Sequence, residues 1–274
     1  MDTVESDQPG EFIISSMELY FMINLLGEKG LPDRDTEAFV LQCCASDSAE
    51  QIWYEGRELL KRKGYFIPGT DGELRISAQL LIMLGHIYLA KKAYLLQYIL
   101  DDREYEEFLY IHEDKIIRIE CLKKDEGQYR LTYLNIDDNE LVHSFGCTEQ
   151  KLQNPGELPA LMLSRSQFDE ILSEARQLDV EELIEQLSNT TDEQEAMIAL
   201  ARCIKSNTSK GSLRFYLWNN NAWEVQYVQF MSNHHINWLI RSSAKHDEDW
   251  MIATPTSMEN IQEMIKDWLA EPIS

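Results

Sequence analysis

A chain of 274 residues can form one large domain or two ordinary ones, and its 44% hydrophobic and 27% charged residues are those of a globular protein. Its 48 acidic against 25 basic residues give a net charge of −23, a field that repels phosphate backbones and argues against nucleic acid as a global partner. An acidic exterior of this kind suits cationic or apolar partners, or simply keeps the chain dispersed.

The five cysteines, Cys43, Cys44, Cys121, Cys147 and Cys203, show no C-x-x-C spacing, which fits a reducing compartment. Residues 1–10 are acidic and carry no basic-then-apolar export signal. The most apolar stretch, 78–90, falls short of the roughly 20 residues that a bilayer span needs. These features predict a cytoplasmic protein, in which the sequons at Asn189 and Asn207 are incidental.

In chain order, Phe12-Ile13-Ile14 is a strand-like triplet feeding a helix whose start, Ser15 with Glu18, has the form of a capping box stapled by Ile14 and Leu19. Helices are expected at 35–44 and 49–62, with Ile52, Trp53, Leu59 and Leu60 on the apolar side of the second. Residues 65–76 read as a small hairpin around Pro68-Gly69 and Asp71-Gly72. Ser77 then opens a long buried helix predicted to reach about Leu100. A meander follows, with strands at 109–112, 115–122, 129–134 and 141–145, because the apolar positions alternate as a half-solvated sheet requires.

Asn154, Pro155, Gly156 and Pro159 mark a seam. Beyond it Leu161-Met162-Leu163 and the pair Ser164/Gln167 repeat the opening device. Three helices are predicted over 166–205, then a second meander at 213–218, 222–230, 236–241 and 250–253. A closing helix carries Ile261, Met264, Ile265, Trp268 and Leu269 on one stripe, with Thr256 and Glu259 as its capping box. The expected fold is therefore α+β: a pseudo-two-fold repeat in which a central antiparallel sheet of two meanders is covered by helical bundles. It is read as one globular unit, 10–270, made of halves 10–153 and 158–270.

Chemistry is poorly announced. His143 and Cys147 could pair as a thiolate site, and His234, His235, His246, Asp247, Glu248 and Asp249 could gather at a metal, but neither set has a family spacing. No G-x-S-x-G, P-loop or G-x-G-x-x-G occurs. The reading is non-enzymatic, with no cofactor and no metal. An alternative function is a DNA-binding regulator using 49–76, whose helix carries Arg57, Lys61, Arg62 and Lys63 before a hairpin, as in a winged helix. Glu50, Glu55 and Glu58 on the same helix oppose it.

Phe215, Tyr216, Trp218, Trp223, Tyr227, Phe230 and Trp238 exceed what one inner face consumes. Alternation is expected to divide Tyr216, Trp218, Trp223 and Tyr227 between both faces, leaving either a second core layer or a patch that anchors partners.

The opening from Phe12 to Leu19, then Leu25-Leu26-Gly27 with Leu31-Pro32, and the ending from Asp249 to Thr256 before an amphipathic last helix resemble the EspG-type chaperones of type VII (ESX) secretion and their Gram-positive relatives. The resemblance implies a cytosolic adaptor that masks a secretion substrate, and as its partner a protein client that is a helical secreted substrate in that family's manner. It implies engagement through sheet loops and the second helical bundle, here the turn from Lys123 and Lys124 to Gly127 and the helices of 166–205. The candidate partner-binding residues are Lys123, Lys124, Trp218, Trp223 and Tyr227. The hairpin near Gly69 and the strong acidity depart from that pattern.

Overall fold

The computed structural model describes residues 10–27, 48–68, 74–123, 127–135, 158–188, 193–242 and 249–271. Cys43, Cys44, Lys124, His143, Cys147, His246, Asp247, Glu248, the segments 35–44 and 141–145 and most of the seam lie outside them.

The first half contributes β1 (Phe12–Ser15), α1 (Ser16–Leu26), α2 (Ala49–Arg62), β2 (Phe66–Pro68), β3 (Leu74–Ile76), α3 (Ala78–Leu89), β4 (Lys92–Leu100), β5 (Arg103–His112), β6 (Lys115–Lys123) and β7 (Gln128–Asn135). The second contributes β8 (Leu161–Leu163), α4 (Arg165–Glu174), α5 (Val180–Ser188), α6 (Gln194–Lys205), β9 (Ser209–Asn219), β10 (Ala222–Ser232), β11 (Asn237–Ser242), β12 (Met251–Thr256) and α7 (Met258–Ala270).

Ten strands form one sheet in the order β1-β7-β6-β5-β4-β9-β10-β11-β12-β8, with every pairing antiparallel, while β2 and β3 pair separately. Read from the centre outward, each half runs through its strands identically: β4-β5-β6-β7-β1 and β9-β10-β11-β12-β8. The centre is the β4–β9 pair, in register from Lys92 opposite Leu217 to Leu100 opposite Ser209, so that Leu96 faces Leu213 at the midpoint. A pseudo-two-fold axis normal to the sheet passes there. The turns correspond too: Asp101-Asp102 joins β4 to β5 and Asn220-Asn221 joins β9 to β10, all four with positive φ. Two-residue turns of this hand match strand twist, and Asn and Asp tolerate the left-handed region.

An axis normal to the sheet maps each face onto itself, so both helical layers must share a face. One core joins α1, α2 and α3 to Ala93, Leu95, Phe108, Tyr110, Ile117, Ile119, Tyr129 and Tyr216. The second joins α4, α5 and α6 to Met231, Trp238, Ile240, Met251 and Ala253. The pairing places both sets on one side of the sheet. The opposite side buries Tyr94, Leu96, Leu213, Phe215, Phe230 and Leu239, with Ile261, Ile265 and Trp268 of α7 laid over it.

Two expectations need correction. The helix predicted from Ser77 to Leu100 ends at Leu89, and Lys92–Leu100 is β4. This central strand is buried on both faces at Ala93, Tyr94, Leu95 and Leu96, so its sequence lacks the alternation that marks a half-solvated strand. The first meander therefore begins one strand earlier than predicted. The cap of α7 is Ser257, whose hydroxyl accepts from the Asn260 N–H, because β12 keeps the chain in the sheet through Thr256. The capping box at Ser15/Glu18 forms as expected, and Ser164 caps α4.

Candidate functional site: a cleft between two helical layers

The register of the β9–β10 hairpin decides where its aromatics go. Trp218 pairs with Trp223, Tyr216 with Val225 and Arg214 with Tyr227, so all of these side chains stand on the helical face. The expected division of Tyr216, Trp218, Trp223 and Tyr227 between two faces is overturned. A two-residue turn sets even-numbered positions of one arm opposite odd-numbered positions of the other, which spacing along a single strand cannot reveal.

The ladder runs from core to solvent. Tyr216 is buried, and Trp223 packs against the first core with its ring 5.2 Å from that of Trp218. Val225 is 57% and Tyr227 40% exposed. Among the described residues, Ala222–Val228 of β10 pair only with β9, since the pairing of β10 with β11 runs from Ser232 opposite Asn237 to Gln229 opposite Ile240 and stops there. This arm thus borders open space between the two layers.

That space is a cleft of about 390 Å³. Gln97 and Ile99 of β4, Lys210 and Ser212 of β9, and Tyr227 and Gln229 of β10 line its floor, with Leu172 of α4 as a wall. The floor is largely apolar, and a few polar contacts fix its side chains. Gln97 donates to the Glu106 carboxylate at 2.7 Å, Gln229 donates to the Tyr227 hydroxyl at 2.9 Å, and the Arg214 guanidinium lies 5.6 Å from the Tyr227 ring centre. These contacts hold Tyr227 upright, an aromatic body with a tethered polar tip, which is the form of side chain that anchors protein partners. Gly211 lets β9 press against β4 beneath the cleft: a Cβ there would lie 2.3 Å from the Gln97 carbonyl oxygen.

Of the five predicted partner-binding residues, Trp218, Trp223 and Tyr227 share one face, and Tyr227 lines the cleft. Lys123 ends β6, far along the sheet from β9 and β10 in strand order, and Lys124 lies outside the described residues. Sequence reading missed Leu172, Gln97 and Lys210. Only the apolar spacing of α4 marked Leu172, and nothing marked the two polar floor residues.

The other candidates resolve locally. Asp249 accepts from the Ser164 hydroxyl and from the N–H and hydroxyl of Ser166 at the start of α4, bonds that hold its carboxyl below the usual carboxylate range. Cys203 is buried in the second core, where desolvation pushes its thiol up to about 12 and away from nucleophilic use. In the 49–76 segment, Lys63 binds the buried Glu18 carboxylate at 2.6 Å and Lys61 lies 3.7 Å from Glu58. Lys63 is thereby engaged with the core-facing Glu18, and Lys61 has an acidic neighbour on its own helix.

No family model matches this chain, and no curated protein matches it in sequence. Its fold is similar to that of EspG5. This type VII secretion chaperone of Mycobacterium tuberculosis, in a structure of its complex with the PE25–PPE41 dimer, superposes with a TM-score of 0.59. The match covers 95% of this chain and 96% of EspG5 at 10% identity. At that identity the likeness establishes the fold, an α+β architecture around a large antiparallel sheet. No helix among the described residues is long and apolar enough to cross a membrane.

Proposed function

We propose that this protein is a non-enzymatic chaperone or adaptor that binds a helical client protein in the cleft between its two helical layers. Tyr227, held between Arg214 and Gln229 on the arm of β10 that pairs only with β9, is the observation that carries this reading. A client helix laid across Tyr227 and Val225 would bury apolar surface against Leu172 while its polar side meets Gln97, Ser212 and Lys210. Similarity to EspG5, a chaperone found with a bound protein dimer, supports the same assignment and makes a type VII secretion substrate the client to try first. The site works by shape and surface, with no bond made or broken, and the reading places it in the cytoplasm.

The test is co-expression with the small helical proteins encoded near this chain's gene, followed by co-purification. Tyr227→Ala and Leu172→Asp should each weaken capture about tenfold or more, because truncating an aromatic anchor costs on the order of 2 kcal/mol. Tyr227→Ala should leave the melting temperature within a degree or two, since this side chain is substantially exposed. Capture unchanged by both substitutions would refute the cleft as the client site.

A further inference from the structure

Helix α3 is apolar on both sides. Leu80, Met83, Leu84 and Ile87 enter the first core, yet Leu81, Ile82, Tyr88 and Leu89 are 55%, 57%, 53% and 52% exposed. A surface helix normally turns charged residues outward, and a helix apolar all round is one that something covers. The pseudo-symmetric counterpart, α6, shows the ordinary pattern, with Glu195, Arg202 and Lys205 outward and its apolar residues buried. Over its twelve residues α3 carries no Asp, Glu, Lys or Arg.

The exposed stripe is symmetric about Gly85. Leu81 and Ile82 precede it by four and three residues, and Tyr88 and Leu89 follow by three and four. A Cβ added at Gly85 would meet nothing within 4 Å, so the centre of the stripe is open. A closed two-fold interface demands a patch complementary to itself, which such a palindromic stripe supplies. Two copies of α3 crossing antiparallel at Gly85 would set Leu81 of one copy against Leu89 of its partner, and Ile82 against Tyr88. The missing side chain at the crossing would allow the axes to approach to the close end of the usual 8–10 Å range.

Charge leaves this contact open. A chain of net charge −23 repels its own copies over most of its surface, whereas α3 itself carries no carboxylate, although Glu113 and Asp114 of the β5–β6 turn act on its His86. We infer that the exposed face of α3 is a homodimer interface, formed by antiparallel packing of two copies about Gly85. The inference is independent of the cleft and its client.

Sedimentation equilibrium of the full chain from roughly 1 to 100 µM reads the association directly. The expected result is a monomer–dimer equilibrium that tightens as salt rises, because screening relieves the repulsion between acidic copies. Leu81→Lys and Leu89→Glu should each weaken dimerisation about tenfold or more with little change in melting temperature, and mixing the two variants should restore a heterodimer by pairing the new charges. A Gly85→Cys variant, oxidised in air, should yield a disulfide-linked dimer, since the axis brings the two positions together. A wild-type chain that stays monomeric throughout, growth beyond dimers, or a dimer that both charge substitutions leave intact would overturn the proposal. So would a monomer that instead covers α3 with its client.

Discussion

Glu18 shows how a single buried charge organises the first layer. Its side chain is fully buried, yet it accepts from the Ser15 N–H at 2.7 Å, the Ser15 hydroxyl at 2.9 Å and the Lys63 ammonium at 2.6 Å. One carboxylate thus caps α1 and pins the end of α2 to it. Lys63→Met would strand the carboxylate in the protein. Breaking a buried pair costs on the order of 3–5 kcal/mol, but the lysine end is partly exposed and water can enter, so the expected loss in urea unfolding is about 2 kcal/mol. Gly56 serves the same contact sterically. A Cβ there would lie 2.2 Å from the Met17 carbonyl oxygen, so Gly56→Ala should force α1 and α2 apart and destabilise by about 2–3 kcal/mol, read by the same assay. The capping box was legible in the sequence because its partners are three residues apart, whereas the Lys63 partnership spans 45 residues and was hidden.

Among elements, α7 and α3 are each fixed by a polar contact with the strand beneath it. Lys92, buried at the start of β4, donates to the carbonyl oxygens of Trp268, Leu269 and Glu271, satisfying the last turn of α7, where a cation also meets the negative end of the helix dipole. At the end of α3, His86 Nδ1 lies 3.0 Å from His112 Nδ1 on β5, beside the Tyr133 ring. Two rings in that contact share one proton. Burial first, and the neighbouring His112 second, lower the His86 pKa, with Lys115 acting in the same direction and Glu113 and Asp114 against it. A histidine whose folded pKa is depressed gives stability that is complete above its unfolded value of about 6.5 and is lost as pH falls below it. The melting temperature should therefore drop as pH falls below about 6.5, and His86→Leu should flatten that slope. An undiminished slope in the variant would assign the pH dependence elsewhere. The α3–β4 boundary escaped sequence reading because 78–100 is nearly continuously apolar, and period alone cannot separate a buried helix from a buried central strand.

Across the whole molecule, β4 and β9 join the halves along nine paired residues, and Tyr216 of the second half completes the core of the first. If the chain is one folding unit, urea unfolding followed by tryptophan fluorescence, which reports mainly residues 218–268, should coincide with far-ultraviolet circular dichroism, which reports both halves. Two separated transitions would show that the halves fold independently. The sequence by itself determined the α+β class, the repeated strand-to-capped-helix opening, the closing amphipathic helix and the presence of a second aromatic ribbon, because each is encoded by neighbours within a few residues. Only the tertiary structure decided that the repeat runs outward from β4 and β9, that both helical layers share one face, and that Tyr216, Trp218, Trp223 and Tyr227 stand on that face with Tyr227 at the cleft. Those facts depend on strand register and on an axis between distant segments, and a one-residue slip of β10 against β9, invisible in local pattern, would have sent Trp223 and Tyr227 to the side of the sheet away from Tyr216 and Trp218.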